Sequence, residues 1–409
     1  MKNERIVLLN GDLTEAGGAE RLTFEEARYL NENGFEPYVL TFDFREAVLF
    51  NQSYKLNIHV FNMKYNFKNL LIQTVYRVTA LRKKLREISP SVIIASSAAD
   101  CTYLYFATLF TPFRYATHIH GSIFWFPDDP VKYALIHRKR FNEIRNSVIG
   151  HREFIPQMPP QRSLAVRIIK EFAAVAMRTA IRKSMKIFVL SKQMGWEVSR
   201  LYGKDAIVLK GAFPSKIINY KPGQDIKTKL GLEDKRMILN VNRLDFRKRV
   251  DLLIKAFGKI SRTYQDAVLV IGGIGRDEGR LKDLVSELDL KYRVRFVGFI
   301  REDELWDYYA SCDIFVHPNW AEFAIAPYEV LALNKKVVWS TEMEIDETLK
   351  GNKHIFPADP NVDDFAAAIG KALITDVTEK NDLSGYTWDN YCKGVMRELN
   401  LPETKDIIK

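Results

Sequence analysis

Apolar and polar positions along the chain alternate between two rhythms. Short continuous apolar runs stand at 5–10 (RIVLLN), 37–42 (PYVLTF), 57–61 (NIHVF), 91–95 (SVIIA), 114–118 (RYATH) and 186–190 (KIFVL). Between them, 18–33, 69–88 and roughly 165–184 carry apolar residues at the helical spacing of three to four. The second half repeats the theme. Runs at 237–241, 267–271, 294–297, 313–316 and 336–339 alternate with helical stretches at 249–262, 278–288, 302–310, 327–334 and 363–374. Continuous Val- and Ile-rich strands separated by helices predict parallel sheets covered on both faces. Two such series predict an α/β chain of two doubly wound Rossmann-like domains facing a central cleft. The N-terminal domain spans 1–213 and the C-terminal domain 229–380. A linker lies at 214–228, inside a Gly- and Pro-bearing stretch without a core pattern (211–228). A closing helix over 381–409 packs back toward the N-terminal domain. Ligands of such sheets bind beyond the carboxyl ends of the strands, so the cleft is the expected site.

Composition agrees with this picture, and charge adds to it. The 409 residues are enough for two full cores, and 47% apolar with 27% charged content is that of a globular protein. The net charge is +10, and it is concentrated: residues 132–186 hold 13 Lys and Arg against 3 Asp and Glu, a surplus equal to that of the whole chain. A second basic cluster, Arg82, Lys83, Lys84 and Arg86, ends the helical stretch 69–88, whose Leu70, Val75, Val78, Leu81 and Leu85 line one side. Cations at a helix C-terminus need no function beyond the helix dipole. A field of this size on one domain points to an anionic partner. With no RNA-binding signature or Gly/Arg tract, an anionic membrane surface ranks above nucleic acid. Three scattered cysteines, Cys101, Cys312 and Cys392, argue for a reducing compartment and against a disulfide framework or a zinc site. The first apolar run is too short for a signal peptide, and no spanning helix is expected. The expected location is cytoplasmic, peripheral at the inner membrane face. The stretch 102–113 (TYLYFATLFTPF) is apolar on all sides; a buried helix is preferred over one that touches a bilayer.

One junction raises a chemical question. In 237–257, MILNVNRLDFRKRVDLLIKAF, an apolar run ends at Asn242 and four cations follow: Arg243, Arg247, Lys248 and Arg249. A helical pattern then begins at Val250. A strand–loop–helix junction with fixed positive charge suits an anion, above all a phosphate; a solvated turn is the plain alternative. A dinucleotide fingerprint does not explain it: after Gly273 and Gly275 the third glycine position is Glu278.

Taken together, several motifs resemble the family-4 glycosyltransferases, enzymes of the two-Rossmann GT-B fold. GGAER (17–21) resembles their N-terminal loop, and VLSKQMGWEVSRLYGKDAIVLKGAF (189–213) the segment closing their first domain. NVNRLDFRKRVDLLIKAF places Arg243 and Lys248 at the family's Arg–Lys spacing. VRFVGFIREDELWDYYASCDIFVHP (294–318) and EFAIAPYEVLA (322–332) follow in order. The resemblance implies a nucleotide diphosphate sugar donor, with GDP and UDP both open. Arg243 and Lys248 would stabilise the leaving diphosphate without a metal or other cofactor, each worth on the order of 3 kcal/mol in the transition state. Glu329, starting the helix just after Pro327, would hold the two ribose hydroxyls. The backbone of Phe323, Ala324 and Ile325 would meet sugar and phosphate oxygens, Phe299 and Ile300 the base, and Gly273 the donor. Gly17 and Gly18 would lie under the diphosphate, where glycine permits close approach. His118 would contact the transferred sugar, keeping the family's distance to the aromatic Trp125; His120 and Trp125 would face the acceptor.

Four departures qualify the likeness. Counting back from Glu329, the family's first motif glutamate falls on Ala321, with Glu322 one place later. Ala324 and Asn242 stand where the family has glycine, and Asn334-Lys335-Lys336 replaces Gly-Lys-Pro. The resemblance implies front-face attack with retention, the leaving phosphate taking the acceptor's proton, so Ala321 need not abolish chemistry. The resulting reading is a retaining hexosyltransferase acting on a lipid-linked acceptor, with Glu322 among the catalytic candidates. The rivals are an epimerase of the same fold and a catalytically weak partner subunit.

Overall fold

A computed structural model of the chain describes residues 4–14, 17–45, 56–61, 70–119, 121, 164–319 and 323–402. The chain divides into two compact units, Met1–Lys210 with Trp388–Lys409, and Gly211–Thr387.

The first unit is built on β1 (Arg5–Leu9), β3 (Glu36–Thr41), β5 (Asn57–Val60), β6 (Val92–Ala95), β7 (Tyr115–His118), β8 (Ile187–Val189) and β9 (Ile207–Val208). They form one parallel sheet in the order β5-β3-β1-β6-β7-β8-β9. Two-residue strands β2 (Asp12–Leu13) and β4 (Asp43–Phe44) pair separately. The described helices of this part are α1 (Gly18–Glu32), α2 (Leu70–Ile88), α3 (Ala98–Thr108), α4 (Leu164–Lys183) and α5 (Lys192–Tyr202). Local chemistry sets their ends. Ser97 accepts the Asp100 N–H to start α3, Ser191 accepts that of Met194 to start α5, and Gly203 at φ +65° closes α5. Helix α3 buries Cys101, Leu104 and Ala107 and packs against α2 and α4, while Phe110 in the turn beyond it is fully exposed. The apolar stretch 102–113 is therefore a partly buried helix as far as Thr108, followed by a turn in which Phe110 and Pro112 are exposed. On α2, Leu81, Leu85 and Ile88 are buried, but Val75, which the sequence places on the same side, is 60% exposed. Among the described residues no helix is long and apolar enough to cross a membrane.

The second unit begins at Gly211, ahead of the linker expected at 214–228, and includes that stretch. A short 3₁₀ turn, Ser215–Asn219, and α6 (Ile226–Leu230) bury Ile217 and Ile226. Tyr220 and the Gly223 N–H both donate to Asp307. Gly and Pro mark irregular backbone here, but buried apolar anchors and a shared carboxylate make it part of the unit. Then follow β10 (Arg236–Val241), α7 (Val250–Ile260), β11 (Ala267–Gly272), α8 (Glu278–Glu287), β12 (Val294–Gly298), α9 (Glu302–Ser311), β13 (Ile314–His317), α10 (Ile325–Ala332), β14 (Lys336–Ser340), β15 (Ile355–Ala358) and α11 (Val362–Ile374). The sheet is parallel, ordered β12-β11-β10-β13-β14-β15. Leu253, Phe257, Phe365 and Ile369 cover one face, against Ile238, Leu269 and Ile314. The chain returns to the first unit as α12 (Trp388–Glu398), which buries Trp388 and Tyr391 and pairs Asp389 with Arg28 at 2.5 Å.

Candidate functional site

In each sheet the strand order reverses once: between β10 and β13 in the second unit, and between β1 and β6 in the first. At such a switch point two crossovers leave in opposite directions and open a crevice at the carboxyl ends.

In the second unit the loop after β10 is clamped to the loop after β11. Asn242 and Leu244 donate their N–H groups to Gly272 and Ile274, at 3.1 and 2.9 Å, and Leu244 is wholly buried. A Cβ on Gly273 (φ +116°) would lie 1.8 Å from the Asn242 carbonyl oxygen, and one on Gly275 2.1 Å from that of Leu244. These glycines are needed for backbone to meet backbone, which is a structural reason for Gly273. A 3₁₀ turn, Phe246–Lys248, follows and carries the cations round to α7. The basic run is thereby sorted. Arg243 is exposed and Lys248 half-buried. Arg249 takes the left-handed conformation (φ +49°), is 4% exposed, and its guanidinium grips the buried carboxylate of Glu342. The Arg247 side chain lies outside the described residues.

Glu329 sits across the switch point on α10 and is 1% exposed, accepting from the Trp306 indole N–H at 3.3 Å. The helix starts at Ile325, not at 327, so Glu329 lies a turn inside it rather than at its start; Pro327, which lacks only a donor that the first turn leaves unused, does not delay the helix. The N-cap, Ala324, supplies no side-chain acceptor, and Phe323 stacks on Tyr328 at 5.0 Å. Beyond β12, Phe299 is 66% exposed while Ile300 is buried, filling the space a Cβ on Gly272 would need. Glu322, with Ala321, lies outside the described residues.

Two residues here escaped the sequence reading. His317 ends β13 and is 2% exposed; burial chiefly, and the Lys248 charge in addition, push its pKa down to about 3. Asn319 is fully buried and accepts weakly from Asn242 at 3.4 Å. Their signal in the sequence is the pair of polar residues that flank Pro318 directly after the apolar run DIFV.

In the first unit, Gly17 caps α1 and Gly18 opens it. His118 ends β7 with its ring fully buried. Its Nε2 lies 2.8 Å from Glu26 of α1, and its Nδ1 2.8 Å from the hydroxyl of Tyr391 of α12. A carboxylate only accepts, so Nε2–H donates to Glu26, while Nδ1 shares a hydrogen bond with the Tyr391 hydroxyl, and the ring is held from both sides. In this arrangement the ring meets protein rather than solvent, which differs from the expected direct contact with a sugar. His120 and Trp125 lie outside the described residues, as does most of the basic stretch. At the switch point itself, Asp100 receives the Gly11 N–H at 3.0 Å and the Ser97 hydroxyl at 2.7 Å. Burial pushes its pKa up to about 7. Its sequence signal was the Ser-x-x-Asp capping pattern at 97–100.

Residues 223–386 match the family Glycosyl transferases group 1, and residues 16–209 match Glycosyltransferase Family 4. An uncharacterised glycosyltransferase of Methanocaldococcus jannaschii is 28% identical over 231 residues, 52% of this chain and 58% of that protein. An α-1,3/1,6-mannosyltransferase of Dictyostelium discoideum is 28% identical over 168 residues, 36% of this chain and 40% of its own length. The chain thus spans less than two thirds of these relatives. The crystal structure of Anabaena HepE in complex with UDP superimposes with a TM-score of 0.65 at 15% identity, covering 98% of this chain and 97% of that one. That likeness establishes the shared GT-B fold.

Proposed function

This chain belongs to the family-4 glycosyltransferases, and on that premise we propose that it moves a mannose- or glucose-type hexose from a GDP- or UDP-sugar with retention. The observation carrying this reading is the sorted basic run after β10. Arg249 is taken up by Glu342, while Arg243 and Lys248 stand at the mouth of the switch point. There they stabilise the charge that grows on the leaving diphosphate. Glu329, on the facing helix, accepts from the ribose hydroxyls, and the uncapped start of α10 offers its first amides to phosphate and sugar oxygens. Phe299 gives the base an exposed ring. Gly17 and Gly18, opening α1, bring backbone up to the sugar, and Glu322 takes part at the sugar's hydroxyls. His118 contributes indirectly, by fixing the carboxyl end of β7, while His120 and Trp125 face the acceptor.

The acceptor of this reading is a lipid-linked molecule at an anionic membrane surface. Ile72, Val75 and Tyr76 on α2, and Ile168, Ile169, Phe172 and Val175 on α4, are exposed apolar side chains. Arg82, Lys83, Lys84 and Arg86 follow on α2, and α4 continues the basic stretch. Apolar side chains beside cations suit an interfacial site. The test is transfer of radiolabelled sugar from UDP- and GDP-sugars into a total lipid extract. Label in the organic phase, lost in Lys248→Ala, supports the reading. Conversion of the donor without any acceptor would instead indicate an epimerase. Nucleotide binding with no turnover on any acceptor would indicate a partner subunit.

A further inference from the structure

Strand β13 runs Ile314, Phe315, Val316, His317. Ile314 and Val316 belong to the core shared with α7 and α11. Alternation turns Phe315 and His317 to the other face. There Phe315 meets Tyr309 of α9 edge-on at 5.5 Å, and the His317 ring lies parallel to Phe315 at 6.2 Å. Neither ring nitrogen of His317 has a hydrogen-bond partner among the described residues. The same holds for Nδ2 of Asn319, two residues on and wholly buried. A buried polar group without a partner costs about 1–3 kcal/mol, so two of them two residues apart in the chain call for a reason.

Their position supplies one. Both lie at the carboxyl end of β13, one of the two strands that border the switch point. Asn319 is tied to Asn242, the residue that begins the loop bearing Arg243 and Lys248. His317 lies close enough to Lys248 for that charge to disfavour a proton on the ring. A neutral imidazole keeps one N–H to donate and one lone pair to accept. An amide nitrogen adds two donors. Both are carried on a central strand and its first following residues, where little rearrangement is needed to use them.

Resting on the reading that a nucleoside diphosphate occupies this crevice, we propose that His317 and Asn319 are further donor-binding residues, whose N–H groups hydrogen-bond the diphosphate beside Arg243 and Lys248. Neutral donors there add direction to the charge supplied by the cations. A hydrogen bond to a charged group is worth about 1.5–3 kcal/mol, or roughly ten- to a hundredfold in affinity.

Calorimetric titration of the full chain with UDP, GDP and the parent nucleosides, uridine and guanosine, tests this. The wild type is expected to bind one diphosphate. His317→Phe and Asn319→Ala should weaken it about tenfold or more while leaving the nucleoside affinity within twofold. His317→Gln, which keeps an N–H donor, should recover most of the loss. Unchanged diphosphate affinity in both His317→Phe and Asn319→Ala overturns the proposal. So does an equal loss for diphosphate and nucleoside, the mark of a merely structural role. Should His317→Phe not fold, Asn319→Ala carries the comparison alone, and unchanged diphosphate affinity in Asn319→Ala overturns the proposal. A wild type that binds neither diphosphate removes the donor reading and this one with it, and that failure is visible before any variant is made.

Discussion

Arg243, Lys248 and Arg249 stand within seven positions, yet burial gives them different physics. The exposed Arg243 and half-buried Lys248 can meet an incoming anion, so Arg243→Ala or Lys248→Ala should each lower kcat about a hundredfold, on the order of 3 kcal/mol, with the melting temperature nearly unchanged. Steady-state kinetics beside a thermal melt checks both halves of that statement. Asp100 and His317 make the residue scale visible in pH. Folding raises Asp100 from 3.8 to about 7, so between those values the folded chain holds a proton that the unfolded chain has lost. Its contribution to stability therefore falls as pH rises through that window. Folding lowers His317 from 6.5 to about 3, so there the unfolded chain takes up the extra proton and stability is lost as pH falls. The two slopes oppose each other. Asp100→Asn should remove the first and His317→Phe the second, read as unfolding free energies across pH 4 to 8. If neither variant alters the pH slope, the buried placement of both groups is contradicted.

At the scale of elements, the turn joining β10 to α7 is held by a bracket rather than by its own propensity. Arg249 adopts a left-handed conformation that a non-glycine residue takes at a cost, and the buried Glu342 pair fixes it. Glu342→Gln removes a carboxylate that pairs with that buried guanidinium and should cost about 3–5 kcal/mol by chemical denaturation. Donor affinity should fall with it, because Lys248 is the preceding residue. Helix α12 is tied to the first unit in a similar way, through Tyr391 to His118 and Asp389 to Arg28. Tyr391→Phe removes the hydroxyl that meets the buried His118 ring and should cost about 1–3 kcal/mol in the same assay. Much of this level was legible beforehand. The strands at 267–271 and 313–316 and the helices between them follow from apolar period alone, since burial of one face dictates the spacing. What was not legible depended on long-range partners. No local pattern tells that Arg249 turns inward to Glu342, ninety-three residues away. Nor does one tell that His118 is enclosed by side chains from the two ends of the chain.

For the whole molecule, two doubly wound sheets each reverse strand order once, and each reversal gathers polar residues the apolar pattern could not announce. In the stretch 214–228 Gly and Pro signal irregular backbone, and Asp307 with the buried Ile217 and Ile226 attaches it to the second unit. The concentration of charge in 132–186 of the sequence, together with the exposed apolar residues of α2 and α4, carries the membrane reading. Each Lys or Arg near an anionic surface adds about 1 kcal/mol, so the protein should float with phosphatidylserine-containing liposomes at low salt and be released at high salt. Failure to float at low salt would remove the membrane surface as a partner.

The central claim concerns one ligand in one place, and a crystal structure of the full chain grown with UDP or GDP tests it most directly. The account predicts the diphosphate within hydrogen-bonding distance of Arg243 and Lys248, with both ribose hydroxyls on the Glu329 carboxylate. A nucleotide bound elsewhere, with those three side chains making no contact to it, would contradict the account.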